Sequence, residues 1–266
     1  MGQDQNIFQR YEKKYMLNDG QYMRLTDRLS GRMQPDAYGK STICNVYFDT
    51  PNRRLIRASL EKPIYKEKLR LRSYGVPAAD TRVFAELKKK FRGVVYKRRI
   101  GMPLSAAETY LYRCGRPPAP CQITREIDWF LHYYQDLKPA MYLSYERTAF
   151  YQKEQTGLRI TFDSNILWRE EALSLSAGTY GQALLEPGQH LMEIKIPGAL
   201  PLWLTEILDV LQIYPISFSK YGTAYMRRCG ASAAAVPLPA PSGERLSAAE
   251  RINGRGTAEP RPLCTG

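Results

Sequence analysis

KEKLRLR, residues 66–72, alternates charged and apolar side chains and is the segment that decides the predicted fold. Successive side chains of an extended strand point to opposite faces, so Leu69 and Leu71 share one face. The opposite face carries four cations: Lys66, Lys68, Arg70 and Arg72. Because like charges along one strand repel one another, the pattern predicts a negatively charged group in front of this face.

The same alternation recurs in five more segments, which span 82–88, 95–100, 143–149, 158–163 and 191–196. Their charged faces carry further ionisable side chains: Glu86, Lys88, Lys97, Arg99, Arg147, Arg159, Asp163, Glu193 and Lys195. On any single strand, a solvated sheet face gives this pattern as well. Recurrence over six strands instead favours charged faces that point together into an enclosed space.

Strands predominate in the hydrophobic pattern, with helices between them. The predicted strands cover 7–17, 43–50, 63–74, 82–90, 94–101, 141–151, 157–163 and 190–196. The predicted helices cover 19–33, 105–113, 123–137, 201–213 and 217–228, and their apolar stripes need a sheet face to pack on. We therefore predict an α+β, mainly β fold: a closed antiparallel β-barrel with helices packed outside. Because small barrels normally fill their interior with apolar side chains, a charged interior indicates a water-filled, functional tunnel.

The net charge points to a polyanionic partner. Lys and Arg number 39 against 26 Asp and Glu, which gives +13 and a pI near 9.5. Residues 231–266 contain no aromatic residue and are rich in Ala, Pro, Ser and Gly, so we predict a folded domain over 1–230 and a disordered tail after it. That tail holds four Arg and three Glu, so most of the positive charge belongs to the folded part. Nucleic acid, an anionic membrane surface and a phosphate-rich substrate all fit such a charge.

The sequence motifs of several classes of functional site are absent. The five cysteines form no CxxC pair and only two histidines are present, which argues against a zinc site or a disulfide framework and favours a reducing cytoplasm. No GxxxxGK[ST] loop, GxGxxG turn or GxSxG elbow occurs. Without an RNP-like aromatic strand, nucleic acid is not the expected partner. No segment reaches the roughly 20 apolar residues of a membrane span. We therefore expect a cytoplasmic protein, for which a membrane-protein partner is conceivable.

A series of short motifs resembles one protein family. In chain order they are RYEKKY (10–15), VYFD (46–49), LRLRSYG (69–75), FAELK (84–88), YKRR (96–99), YERTAF (145–150), RITFD (159–163), MEIK (192–195) and FSKY (218–221). Their order is similar to that of VTC polyphosphate polymerase domains, members of the triphosphate tunnel metalloenzymes and relatives of CYTH phosphatases. The resemblance covers roughly residues 7–228.

The resemblance implies a set of functional residues. By motif position the phosphate path would be lined by Lys14, Arg70, Arg72, Lys88, Lys97, Arg147 and Lys220. Strand face or an adjoining motif position adds further phosphate-binding candidates: Arg10, Arg99, Arg159 and Lys195. Glu193 would be the principal ligand of Mn²⁺ or Mg²⁺, with Glu86 as a second carboxylate. The implied reaction is transfer of the γ-phosphate of ATP to a growing polyphosphate chain.

Two alternatives remain open at this point. A tunnel triphosphatase would share the fold and would use a carboxylate such as Glu12 or Glu86 to activate water. CYTH hydrolases typically begin with an ExExK strand, and the matching positions here are Arg10, Glu12 and Lys14, which brings the segment nearer the polymerase pattern. A non-catalytic module that binds polyphosphate or another polyanion is the second alternative.

Overall fold

A computed structural model describes residues 11–92, 94–152, 157–230 and 236–237. Among these residues one antiparallel sheet contains eleven strands: β1 Tyr11–Asn18, β2 Met33–Asp49, β3 Tyr65–Tyr74, β4 Arg82–Phe91, β5 Val94–Pro103, β6 Lys138–Gln152, β7 Arg159–Arg169, β8 Gln182–Ala183, β9 Gln189–Ile196, β10 Pro215–Ser217 and β11 Val236–Pro237. The described helices are α1 Asp19–Leu29, α2 Arg54–Leu60, α3 Leu104–Tyr112, α4 Gln122–Tyr134, α5 Leu202–Val210 and α6 Lys220–Arg228. The predicted mainly β, antiparallel α+β class is confirmed.

The strand order is β11-β10-β1-β9-β7-β6-β2-β3-β4-β5, with β8 paired to β7. Cross-strand partners share a sheet face, so the register shows which side chains stand side by side. One such row crosses β5, β4, β3, β2 and β6 as Arg99, Glu86, Arg70, Tyr47 and Met141. The predicted charged faces of separate strands therefore form one continuous surface.

The sheet is strongly curled. β1 and β3 are five steps apart in the strand order, roughly 24 Å across a flat sheet. Lys14 Nζ on β1 nevertheless donates to Phe218 O at 2.8 Å, and Lys68 Nζ on β3 donates to Ser219 Oγ at 3.3 Å. Two adjacent residues of one loop thus bridge both flanks of the sheet, and the charged face is the concave one.

Helices cover the apolar convex face in two groups. Over β2–β5, residues such as Leu69 and Leu71 pack against Tyr110 of α3 and Ile127 and Phe130 of α4. Over β1, β7 and β9, a second cluster includes the apolar side of α1 and α5. These helices lie outside the curl, as predicted.

α6 does not follow that prediction, because it packs on the concave face. Tyr221 stacks on Tyr47 of β2 with ring centroids 4.7 Å apart, and Phe218 and Ala224 belong to the same buried cluster. Concave-facing residues of β6 and β7, such as Met141 and Trp168, complete this cluster. The reason is chemical: the part of the concave face formed by Tyr47, Met141 and Trp168 is apolar, and α6 buries it beside the charged part.

The closed barrel is not confirmed. Within the described residues the hydrogen-bonded ladder ends at β5 on one side and at β11 on the other. β10 has three residues and β11 two, whereas β5 has ten. Edge strands this short offer few backbone partners to β5, and the two flanks are bridged instead by Lys14 and Lys68, which contact the loop before α6.

α2 and the first half of β2 were not predicted from the sequence. α2 follows Arg53, which has φ of 59° and whose side chain does not cap the helix. Its first amide, Arg54 N, donates to Thr50 Oγ1 at 2.9 Å, and the next two donate to the carboxylate of Asp49: Leu55 N to Oδ1 at 2.9 Å and Ile56 N to Oδ2 at 3.0 Å. A cap supplied from six and seven residues upstream lacks the usual N-cap spacing.

The predicted tail, 231–266, falls almost wholly outside the described residues. Its described part is β11, where Val236 and Pro237 pair with Ser217 and Ile216 of β10. Disorder of the remainder stays a prediction. Among the described residues, none of the helices has the length and apolar content needed to cross a bilayer.

Candidate functional site

The concave side of the sheet carries a dense set of charged side chains, which we name the cationic face. Its cations are Lys14, Lys68, Arg70, Arg72, Lys88, Lys97, Arg99, Arg147, Lys195 and Lys220. Its carboxylates are Glu12, Glu86, Asp163 and Glu193. Cations outnumber carboxylates, so the face retains a positive charge after its internal pairs are counted.

Glu86 on β4 is surrounded by three of these cations. Arg70 Nε and Nη2 donate to Glu86 Oε2 at 2.8 and 2.6 Å. Lys97 Nζ lies 2.8 Å from Oε1, and Arg99 Nε lies 3.3 Å from it. Burial by itself raises the pKa of Glu86, but the charges of Arg70, Arg72 and Lys97 hold it well below its usual range. Glu86 is therefore ionised and acts as a fixed counter-ion.

Asp163 on β7 is likewise a buried counter-ion, and it pairs with two other cations. Arg147 donates from Nε to Oδ1 at 2.6 Å and from Nη2 to Oδ2 at 2.7 Å, a forked pair that fixes the guanidinium plane. Lys220, the first residue of α6, reaches Oδ2 at 2.5 Å. α6 thus delivers one predicted phosphate-binding residue to the face it covers.

Glu193 on β9 lies beside β1 in an alternating charge pattern. Its carboxylate contacts Lys195 Nζ, and Lys14 is its cross-strand partner. Lys14 Nζ is in turn 3.5 Å from Glu12 Oε1. Burial raises the pKa of Glu193, but Lys195, Lys14 and Lys220 lower it far below the ordinary value, so this buried carboxylate is ionised.

Arg72 is held by neutral groups. Its Nε donates to Asn45 Oδ1 at 2.8 Å and its Nη2 donates to Tyr145 OH at 3.2 Å. The residue is 8% exposed and has no carboxylate partner among the described residues. A buried guanidinium positioned by neutral acceptors keeps its full charge for an incoming anion.

Lys68 and Lys88 are partly buried lysines without an ion pair to any described residue. Burial lowers the pKa of each from 10.5 to about 8. The positive field also acts on Tyr47: burial raises its pKa, but Arg70, Lys68 and Arg72 lower it to about 8. The face therefore concentrates more positive charge than its own carboxylates neutralise.

Two of the predicted site residues are not part of this cluster. Arg159, the first residue of β7 and the cross-strand partner of Lys195, has 52% of its side chain exposed, and its Nη2 is 3.2 Å from Asp36 Oδ2. Arg10 lies outside the described residues. The other predicted phosphate-binding residues, together with Glu86 and Glu193, are brought together on the concave face, and their roles stay predictions.

Several residues that build the cationic face were assigned no role from the sequence. Asp163 anchors two predicted cations, while Tyr47, Asn45 and Tyr145 position Arg70 and Arg72. The signal was the alternation within 43–50 and 143–149, where these polar side chains recur at every second position. Lys68 lies in the KEKLRLR segment, on the same strand face as Arg70 and Arg72.

The donor set fits a divalent cation that is shared with a phosphate chain. Within the part of the chain that the structure describes, no group of three or more His, Cys, Asp and Glu could hold a metal on its own. Mg²⁺ is commonly held by one or two carboxylates together with substrate phosphates. Glu193, with Glu12 on the neighbouring strand, offers such oxygens, whereas both oxygens of Glu86 are taken up by its ion pairs.

Fold and site together define an α+β protein whose curled antiparallel sheet encloses a cationic face. The chain belongs to the VTC domain family, whose model matches residues 9–227. This confirms the family predicted from the motifs.

Solved structures show a more distant likeness. A putative adenylate cyclase from Bacillus halodurans is 17% identical, with a TM-score of 0.49 over 78% of this chain and 92% of that chain. A putative adenylyl cyclase from Hippeastrum, described as having a dominant triphosphatase activity, is 17% identical, with a TM-score of 0.48 over 83% and 95%. A Pyrococcus horikoshii protein is 14% identical, with a TM-score of 0.43 over 83% and 98%. No curated protein matches the chain.

Proposed function

We propose that the protein is a polyphosphate polymerase that transfers the γ-phosphoryl group of ATP to the end of a polyphosphate chain. The observation that carries the proposal is the surplus of positive charge on the cationic face, above all the buried Arg72 and the partly buried Lys68 and Lys88, which have no ion-paired carboxylate among the described residues. A buried, unpaired cation is costly. A ligand with several negative charges in a row would offset that cost at every one of these positions.

A linear phosphate chain fits the arrangement better than a single anion does. Arg70 and Arg72 stand two residues apart on β3, and Lys88 is the cross-strand partner of Lys68. Guanidinium groups offer forked donors to phosphate oxygens, and ammonium groups offer compact charges. Successive phosphoryl groups would thus meet successive cations along the strand.

The proposed reaction needs positioning more than acid or base chemistry. A terminal oxygen of the acceptor chain attacks the γ-phosphorus of ATP, the bond from that phosphorus to the bridging β-oxygen breaks, and ADP leaves. Phosphoryl transfer of this kind depends on alignment and charge neutralisation. Arg70, Arg72 and Arg147 would orient the phosphates, and their buried counter-ions Glu86 and Asp163 keep two of them rigid.

Glu193, with Glu12 beside it, would hold Mn²⁺ or Mg²⁺ in contact with the phosphates. When bound, such a cation neutralises charge on the phosphate oxygens. In the free protein Lys195 contacts Glu193 and Lys14 lies beside Glu12. As the cation binds, these two lysines would move from the carboxylates toward phosphate.

The state of Glu86 bears on the triphosphatase alternative. A general base works best when its pKa lies near the working pH, and three cations hold the pKa of Glu86 far below that range. Glu86 is therefore poorly suited to activate water, and Glu12 is the remaining candidate of the two for a triphosphatase.

The test is to incubate the purified chain with ATP and Mn²⁺ and separate the products on a gel stained for polyphosphate. The proposal expects a ladder of chains together with ADP. Free phosphate without a ladder would identify a triphosphatase, and no turnover with retained polyphosphate binding would identify a binding module. Arg24→Ala, a change of an exposed arginine on the outer helix α1, is the matched control for variants of the cationic face.

A further inference from the structure

A second cationic surface lies on the outside of the molecule, where α4 passes over the end of the β3–β5 region. Five aromatic residues there are exposed, and we name them the aromatic patch: Tyr65, Phe91, Tyr96, Trp129 and Tyr133, at 45%, 45%, 43%, 55% and 51%. None of them belongs to the cationic face. Monomeric proteins rarely leave several large apolar groups exposed together unless the surface binds something.

Ring stacking and strand pairing join the patch into one surface. Trp129 and Tyr133 stack with ring centroids 5.0 Å apart. Tyr133 is close enough to Tyr65 to influence its titration, and Tyr65 is the cross-strand partner of Phe91. Tyr96 stands opposite Lys89, whose ammonium lies 5.8 Å from the Trp129 ring.

Cations lie directly over the rings of the patch. Arg54 is 5.9 Å from the Tyr133 ring and Arg92 is 5.3 Å from the Phe91 ring. Arg125 and Lys89 line a surface cleft of about 290 Å³ beside Trp129. The patch is therefore both aromatic and positively charged.

The acidic residues nearby are already engaged. Glu67 is buried and accepts from Tyr65 and Tyr134. Glu126 pairs with Arg98, and Asp128 accepts from Tyr110. The exposed cations of the patch thus have no carboxylate partner among the described residues.

We propose that the aromatic patch docks the protein on an anionic lipid surface. Trp and Tyr are favoured at the boundary between water and lipid, where the ring is buried and its polar atom stays wet. Lys and Arg next to such rings are attracted to anionic headgroups. The cleft is lined by Lys89, Arg125 and Glu126, and its two cations would pair with one headgroup phosphate while Glu126 stays paired with Arg98.

One exposed aliphatic side chain next to the patch favours lipid over other occupants. Ile64, which precedes Tyr65 in the chain, is 68% exposed. Aliphatic groups suit an acyl boundary but do not stack on bases, and Trp129 and Tyr133 already stack on each other. Docking on a second copy of this chain would place cations against cations, which opposes association.

The experiment is co-sedimentation of the full chain with phosphatidylcholine vesicles and with vesicles of equal parts phosphatidylcholine and phosphatidylglycerol. We expect binding to the anionic vesicles only. Trp129→Glu with Tyr133→Glu should weaken that binding on the order of tenfold or more, and Lys89→Gln with Arg125→Gln should weaken it roughly fivefold per residue removed. Val210→Glu with Tyr214→Glu, at 63% and 57% exposure outside the patch, is the matched control.

Fluorescence provides a second measurement that does not depend on variants that could misfold. Quenching of tryptophan fluorescence by brominated acyl chains should occur on anionic vesicles, because Trp129 is 55% exposed, whereas Trp203 is half-buried and Trp168 is 5% exposed. Equal binding by the wild type and both patch variants would overturn the proposal, since the cationic face would then explain it. So would patch-dependent binding of single-stranded RNA, or of an acidic protein, without binding to vesicles.

Discussion

At the scale of single residues, Lys68 and Lys88 link the charge of the cationic face to substrate binding. Each has a pKa of about 8 in the free protein, below the ordinary 10.5, because burial disfavours the charged form. A bound phosphate chain would favour the charged form and raise both values. Above about pH 8 binding would therefore take up protons, and affinity would fall as pH rises.

Calorimetry of tripolyphosphate binding in buffers of different ionisation enthalpy measures this uptake. We expect net proton uptake between about pH 8 and 10 that is reduced in Lys88→Arg, because arginine stays charged in this range. The ligand's own protonation is the same for both proteins and cancels in the comparison. Identical uptake by wild type and variant would show that Lys88 is not at the phosphate path.

Glu193 is the second residue whose role can be isolated. Glu193→Gln keeps the shape of the side chain and removes the charge that would hold a divalent cation. We expect the Mn²⁺ dependence and turnover to collapse in a protein that still folds, with a lower thermal melting temperature because Lys195 and Lys14 lose the carboxylate beside them. Normal turnover at the same Mn²⁺ concentration would assign the metal to another carboxylate.

At the scale of elements, Asp49 connects α2 and α6 to β2. Its carboxylate accepts from the amides of Leu55 and Ile56 and from Tyr221 OH at 2.9 Å. Asp49→Ala removes a helix cap and a buried acceptor, so we expect a loss of about 3 kcal/mol in the free energy of unfolding. Urea denaturation measures it.

A comparison variant separates that packing role from a general effect of charge removal. Asp27→Ala changes an exposed acidic residue on α1, whose side chain forms no ion pair with a described residue. We expect little change in its free energy of unfolding. Equal destabilisation by the two substitutions would contradict the role given to Asp49.

The strands were predictable because their chemistry is local. Alternation of Leu69 and Leu71 with Arg70 and Arg72 specifies both the strand and the face that each side chain occupies, and the register preserves that assignment. The concave site of α6 was not predictable, since its apolar stripe fits either side of a sheet. The choice between the two sides depends on the apolar cluster that α6 shares with Tyr47 and Met141 of the concave face.

For the whole molecule, most residues of the candidate site were predicted from the sequence. The pairing of its cations with its carboxylates was not. The cations follow from strand alternation and motif order. Their pairing with Glu86, Asp163 or no carboxylate depends on how strands far apart in the chain are placed side by side. Asp163 reaches Lys220 across 57 residues of sequence, a contact that no local pattern encodes.

The segment after residue 230 supplies a prediction at this scale. It lacks aromatic residues that could anchor it in a core, so deletion of 231–266 should leave activity and melting temperature nearly unchanged. Deletion of 238–266 retains β11, and the difference between the two deletions measures what the β10–β11 pairing contributes. A large fall in melting temperature for the shorter deletion would place the domain boundary further along the chain.

The dissociation constant of tripolyphosphate, measured by calorimetry, tests whether the cationic face binds a phosphate chain. Arg72 suits this test because neutral groups hold it, so its removal leaves no carboxylate unpaired. We expect Arg72→Ala to weaken binding roughly tenfold or more and Arg72→Lys to weaken it less, since lysine keeps the charge and loses the fork. Arg24→Ala on the outer surface should bind as the wild type does. Wild-type affinity in both Arg72 variants would contradict the account, because the phosphate chain would then bind elsewhere.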